Sequence, residues 1–233
     1  MASSTSSPSL RRAWILDGCV EVGLDEAGRG SLWGRLYVGA VILSPDNDDY
    51  PDEGELLRQI TDSKKLSRKR RAVLATYIRE NAVASVVTFA DAAEVDRLNV
   101  LQADMAAMGR ALDAIAAMVP VQRVLVDGDT APGWIPSLEA GAMLTTDTVD
   151  VIPIVEGDAH VMSIAAASIL AKEAHDTWVH DMIAADPSLH ERYGFGTNMG
   201  YGTAAHMAGL QTWGAHAEHR RSFAPVRRVV NER

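Results

Sequence analysis

The chain has 233 residues, 47% of them hydrophobic and 23% charged, and carries a net charge of −9. That length buries one sizeable α/β core. The negative balance excludes a protein that coats nucleic acid through many phosphate-neutralising cations, but not a nuclease with a local basic groove beside an acidic metal site. One cysteine, Cys19, excludes an intramolecular disulfide framework and a cysteine-rich zinc site, and it fits a reducing compartment.

The opening MASSTSSPSLRR is Ser-rich and polar without an apolar core, so residues 1–18 are expected to be a flexible lead rather than a secretory signal. Residues 20–24 and 36–43 read as strands joined by a glycine-rich turn in a hairpin, and 45–55 as a polar loop. Residues 67–81 have helical spacing with Ser67 as cap. Residues 84–89 read as a strand, and 91–118 as a long helix or helix pair capped by Asp91. The segment 123–129, RVLVDGD, is a short apolar strand ending in Asp-Gly-Asp. Residues 130–148 read as loop and 149–155 as a strand. Residues 159–183 read as a long helix whose AAAS run allows close packing on a sheet. The region from 198 onward is expected to be helical, then extended and basic. The apolar run at 162–171 is too short to span a bilayer, so no membrane association is expected. Strands alternating with helices indicate an α/β sheet core.

The acids fall at strand ends. Asp25 and Glu26 follow the first strand, Asp127 ends VLVD, and Asp158 follows VIPIVEG. Taken singly, Asp127 before glycine is a turn residue, Asp158 a helix cap and Arg29 a surface residue. Gathered at one sheet edge, four carboxylates repel one another unless a cation sits between them. Hard oxygen donors select Mg²⁺ or Mn²⁺, and such ions stabilise the oxygens of an in-line phosphoryl displacement. Adjacent strand residues face opposite sides. Asp25 and Glu26 are therefore expected to share a site only if the strand ends between them and Ala27-Gly28 re-aims Glu26. Trp33, Trp178 and Trp213 read as packing residues before stacking platforms, and His206, His216 and His219 lack zinc-ligand spacing. Lys64 and Lys65 either approach a DNA backbone or form a solvated basic loop.

An ordered series of blocks resembles the ribonuclease HII (type 2 ribonuclease H) family: GLDEAGRG, DSKKLS, DRLNVLQA, VLVDGD, GDAHVMSIAAASILAKEAHD, YGFGTNMGYGT and HRRSFAPV, together spanning roughly residues 20–226. The resemblance implies an RNase H-like mixed sheet flanked by helices with a small helical C-terminal extension. It implies a catalytic domain over 19–190 and a substrate-binding extension over 191–233. The implied activity is endonucleolytic cleavage of RNA in RNA–DNA hybrids, and 5′ of single ribonucleotides embedded in duplex DNA, leaving 3′-hydroxyl and 5′-phosphate ends. The resemblance makes Asp25, Glu26, Asp127 and Asp158 the metal-binding catalytic carboxylates for Mg²⁺ or Mn²⁺. It makes Gly28, Arg29 and Gly30 the loop that meets the phosphate and the ribose 2′-hydroxyl, the group that distinguishes RNA from DNA. Tyr201 would stack on the sugar of the next, deoxy, nucleotide. GRG without lysine favours type HII over HIII. The implied setting is cytoplasmic and monomeric, with nucleic acid as partner.

The chain departs from the family pattern at Ser31-Leu32-Trp33-Gly34-Arg35, where Pro-Leu-Ala-Gly-Pro is usual, and at His160, His175 and Met199, where Lys, Arg and Lys are expected. Two phosphate-facing cations are thus expected to be weakened or absent, each worth about 1.5–3 kcal/mol. A protonated His160 would supply one of them below its pKa, making activity less tolerant of high pH. The competing expectations are a non-catalytic hybrid-binding protein on the same fold, and a DNA endonuclease or junction resolvase.

Overall fold

Five strands form one mixed sheet in a computed structural model that describes residues 10–46, 55–129 and 149–232. The expected loop 130–148 lies outside the described residues, as do residues 1–9 of the N-terminal lead and 47–54 of the expected loop 45–55. The strands are β1 (Glu21–Ala27), β2 (Leu36–Ile42), β3 (Ala84–Ala90), β4 (Arg123–Asp127) and β5 (Asp150–Ile154), in the order β3-β2-β1-β4-β5. The β1–β2–β3 pairings are antiparallel, as the hairpin reading requires, whereas β1–β4 and β4–β5 are parallel. The parallel pairs place the C-terminal ends of β1 and β4 side by side, the edge where open α/β sheets bind ligands.

The described residues also form eight α-helices: α1 (Arg68–Asn81), α2 (Ala92–Leu98), α3 (Val100–Ala116), α4 (Met162–Ala185), α5 (Ser188–Tyr193), α6 (Phe195–Asn198), α7 (Ala204–Trp213) and α8 (Ala224–Asn231). Ser67 caps α1 and Asp91 caps α2. Asn99 splits the 91–118 stretch into two helices: its backbone is left-handed (φ 69°), and its side chain accepts from Leu101 N and Gln102 N to start α3. One sheet face buries Val22, Leu24, Val38 and Val124 against Ala107, Met108 and Leu112 of α3. The other packs on α4, which in turn contacts α1 through Leu74 and Ile78.

Gly23 and Gly39 explain how closely α4 lies on the sheet. A Cβ at Gly39 would overlap the Ala167 carbonyl, and one at Gly23 the backbone of Ser163 and Ile164. The small side chains Ala165, Ala166 and Ala167 complete that approach. Residues 10–18 are anchored to this body. Arg11 N donates to His160 O, the Glu21 carboxylate accepts from Trp14 N, and Asp17 pairs with the buried Arg123.

Beyond α4, helices α5–α8 form the C-terminal part. The stretch expected to be extended and basic is helix α8 instead. Pro225 sits at its first turn, and Val226 and Val229 are buried beside Leu32 and Leu210 while Arg227 and Arg228 face outward. No helix of the described residues is long and apolar enough to cross a membrane.

Candidate active site

A cleft of about 500 Å³ opens over the C-terminal ends of β1 and β4. Asp25, Glu26, Gly28, Arg29, Gly30, Ser63, Lys64, Asp127, Ser168, Lys172 and Tyr201 line it. Seven of the eight residues singled out from the sequence therefore share one cavity.

Strand β1 does not end between Asp25 and Glu26. It runs on to Ala27, with Asp25 opposite Gly39 and Glu26 opposite Val38. The two carboxylates consequently leave opposite faces of the sheet. Asp25 points to the α4 side, where Ser168 hydrogen-bonds it, and Glu26 to the α3 side, beside Arg29 and Asp104. Both still line the cleft because it opens over the sheet edge, beyond the reach of the face rule. Asp127 sits at the neighbouring strand end, and its Oδ1 accepts from Gly157 N at 2.7 Å.

Asp158 is less intimate with the group. It lies in a 3₁₀ turn, Gly157–Ala159, rather than at the cap of α4, and it does not line the cleft. Its charge is nonetheless felt there: burial and the charges of Asp127 and Asp62 push its carboxyl up, against Lys64 and Lys65. Burial, Glu26 and Asp127 push Asp25 well above the ordinary carboxylate range. Burial pushes Glu26 up, Arg29 opposes this, and Asp127 adds to it. Burial drags Lys64 down, but Asp158, Asp25, Asp62 and Asp127 more than reverse it. Lys64 is thus part of the site rather than a solvated loop residue.

These donors fit a hard divalent cation. They are carboxylates whose mutual repulsion and burial resist ionisation, and a cation relieves both. Among the described residues, no three acidic or histidine side chains are drawn into closed coordinating geometry.

The GRG loop is built on a turn in which Ser31 N donates to Gly28 O at 3.1 Å. Gly28 has φ +83°, and an added Cβ would lie 2.5 Å from His175 Cδ2. Only glycine meets both demands. The Arg29 side chain is half-exposed, 3.7 Å from Glu26 and 3.8 Å from Asp104. Its carbonyl accepts from Arg220 Nη1 at 3.0 Å, and the same buried guanidinium donates through Nε to Gly34 O at 3.0 Å. Ser31 and Tyr201 form an antiparallel bridge, so the loop and the tyrosine are stitched together.

Several departures from the family pattern find physical places. Trp33 is fully buried and stacked on Phe195, with centroids 4.2 Å apart. Trp178 is half-buried against it and Trp213 is exposed. Arg35 lies over the Phe89 and Trp178 rings. His175 does not face a phosphate. It is buried, bonded to Asp176 at 3.1 Å, and its pKa is lowered by burial. Met199 packs on the Trp33 cluster, and His160 is exposed outside the cleft lining. Beside Arg29, the cleft's cations are instead Lys64 and Lys172, the latter 2.7 Å from Asp176 and over the Tyr201 ring.

Sequence reasoning missed Asp104, Ser168, Lys172 and Arg220. Asp104 had a usable signal: a lone acid among the buried Ala103, Met105, Ala107 and Met108 of α3. Burial and Glu26 push its carboxyl well up. The other three depend on contacts that no local pattern announces.

The ribonuclease HII family model matches residues 22–226. The ribonuclease HII of Laribacter hongkongensis is 46% identical over 208 residues, covering 89% of this chain and 92% of that one. The chain belongs to the ribonuclease HII family. It is a ribonuclease of the ribonuclease H class, acting on RNA–DNA hybrids. The fold agrees with the ribonuclease H2 of Pyrococcus horikoshii (TM-score 0.62, 24% identity, 91% of this chain and 97% of that one). It also agrees with Bst-RNase HIII, solved in complex with Mn²⁺ (TM-score 0.66, 18% identity, 93% and 71%).

Proposed function

We propose that this ribonuclease HII cuts on the 5′ side of a ribonucleotide, in hybrids and at single ribonucleotides in duplex DNA, leaving 3′-hydroxyl and 5′-phosphate ends. Asp25, Glu26, Asp127 and Asp158 are the residues that would hold Mg²⁺ or Mn²⁺. The observation that carries this is the gathering of Asp25, Glu26 and Asp127 around one cleft, with burial and like charge holding Asp25 and Glu26 toward protonation. A bound divalent ion there supplies charge neutralisation and polarisation of the phosphoryl oxygens. Lys64 and Lys172 attract the scissile strand's phosphates.

Gly28, Arg29 and Gly30 bring backbone close to the ribose, where the 2′-hydroxyl reports RNA. Tyr201, 37% exposed and bridged to Ser31, offers its ring to the next sugar. Residues 19–190 supply the carboxylates and 191–233 the tyrosine and the Arg220 brace. All these groups come from one chain, which supports action as a monomer, and the lone free Cys19 suits a reducing cytoplasm.

The test is a substrate panel with Mg²⁺, Mn²⁺ or EDTA: a duplex with one ribonucleotide, a continuous hybrid and an all-DNA duplex. Metal-dependent cutting 5′ of the ribonucleotide, lost in Asp25→Asn, is expected. Comparable cutting of all-DNA duplex would overturn the ribose assignment, and retained cutting by Asp25→Asn the metal assignment.

A further inference from the structure

We infer that the buried pair His206–His219 is a positioning device that fixes the Tyr201 backbone from the C-terminal block. The inference rests on the reading of Tyr201 as the residue that meets the substrate sugar.

The hydrogen bonds run in one direction. His216 N–H can only donate, and His219 Nδ1 accepts it at 2.8 Å. His219 Nδ1 therefore carries no proton, and in the neutral ring the proton sits on Nε2. That Nε2–H faces His206 Nε2 at 2.9 Å, so His206 Nε2 must accept. The His206 proton is then on Nδ1, which donates to the Tyr201 carbonyl at 3.0 Å. One backbone N–H thus dictates both tautomers and ends at the residue of interest.

The surroundings hold this arrangement. His206 and His219 are fully buried among Tyr193 and Phe195, with the Phe195 ring edge-on to His206 at 4.9 Å. Burial lowers the pKa of both, that of His219 to about 3. Protonating either ring would put two donors face to face or expel the His216 N–H. His216 is itself braced, its Nδ1 accepting from Trp33 Nε1 at 3.1 Å. Trp33 also bridges to His219, while Leu32 N donates to Gly200 O. The Tyr201 carbonyl has a second donor, Thr203 N at 2.8 Å, so the histidine sets its orientation rather than its existence.

The test is a double-mutant cycle. His206→Gln keeps an acceptor toward His219 and withdraws the donor from Tyr201. His206→Asn keeps a donor at the Nδ1 position and gives up the link to His219. On a duplex with one ribonucleotide, His206→Gln is expected to lower kcat/KM about 2- to 10-fold, mainly through KM. His206→Asn should recover most of that. In a Tyr201→Ala background His206→Gln should cost nothing further. An equal cost in both backgrounds, or none in the wild type, overturns the inference while the Tyr201 reading stands. A Tyr201→Ala variant with wild-type kinetics overturns that reading, and this inference with it. Where a variant fails to fold, ¹⁵N NMR of the wild-type imidazoles decides. Nδ1–H at His206 and Nε2–H at His219 between pH 6 and 8 are expected; the opposite tautomers, or an imidazolium, overturn the relay.

Discussion

Arg220 offers the most decisive perturbation of the substrate loop. Its guanidinium is wholly buried and holds two carbonyls, Arg29 O and Gly34 O, each at 3.0 Å. Burial lowers its pKa to about 10, which leaves it charged at neutral pH. A lysine at this position delivers one compact ammonium and cannot fork to both carbonyls. Arg220→Lys therefore loses one charge-assisted bond, about 1.5–3 kcal/mol. Spread over the whole fold, that loss lowers the melting temperature by roughly 3–12 °C for a chain of this size. One of the two bonds, however, ends on the GRG loop, so the cost falls on loop order. kcat/KM on a single-ribonucleotide duplex should fall roughly 10- to 100-fold at 25 °C, well below melting. Thermal unfolding and steady-state cleavage measured on the same preparation separate the two. A variant that melts several degrees lower yet cleaves within twofold of wild type would refute the claim that Arg220 shapes the loop.

Gly28→Ala places a methyl against His175 in a left-handed backbone, and should lower activity on ribonucleotide substrates by an order of magnitude or more while leaving the fold intact by circular dichroism. Gly39→Ala should instead destabilise by about 1–3 kcal/mol, read by chemical denaturation, because α4 has to lift from the sheet. In EDTA, the buried carboxylates should cost stability as pH rises above the ordinary carboxylate range, read as wild-type stability minus that of Asp25→Asn so that the opposite contribution of the buried histidines His175, His206 and His219 cancels. Asp25, Glu26 and Asp158 titrate higher in the folded state, so the folded chain keeps protons that the unfolded one has released. That difference should fall as pH rises, and a difference that rises or stays level would contradict it. Mg²⁺ at 100 times its Kd should restore about 2.7 kcal/mol to the wild type.

The candidate site was legible in the sequence because its signals are local. VLVDGD and GLDEAGRG each show an apolar strand running into acids, and the parallel pairing of β1 and β4 puts those ends together. The face rule misled at Glu26, since it describes strands inside a sheet and the cleft lies over its edge. Helix α8 was misread because its arginines were weighed before Pro225 and the Val226–Val229 spacing. Arg220 and the His206–His219 pair were out of reach. Their partners lie up to 191 residues away or depend on a ring tautomer, and neither leaves a trace in spacing.

Divalent-ion binding by the wild type and by Asp25→Asn, measured by Mn²⁺ titration with cleavage of a single-ribonucleotide duplex followed in the same samples, tests the central claim most directly. The substitution is expected to remove the ion and the cutting together. An Asp25→Asn protein that binds Mn²⁺ as the wild type does and still cuts 5′ of the ribonucleotide would contradict it.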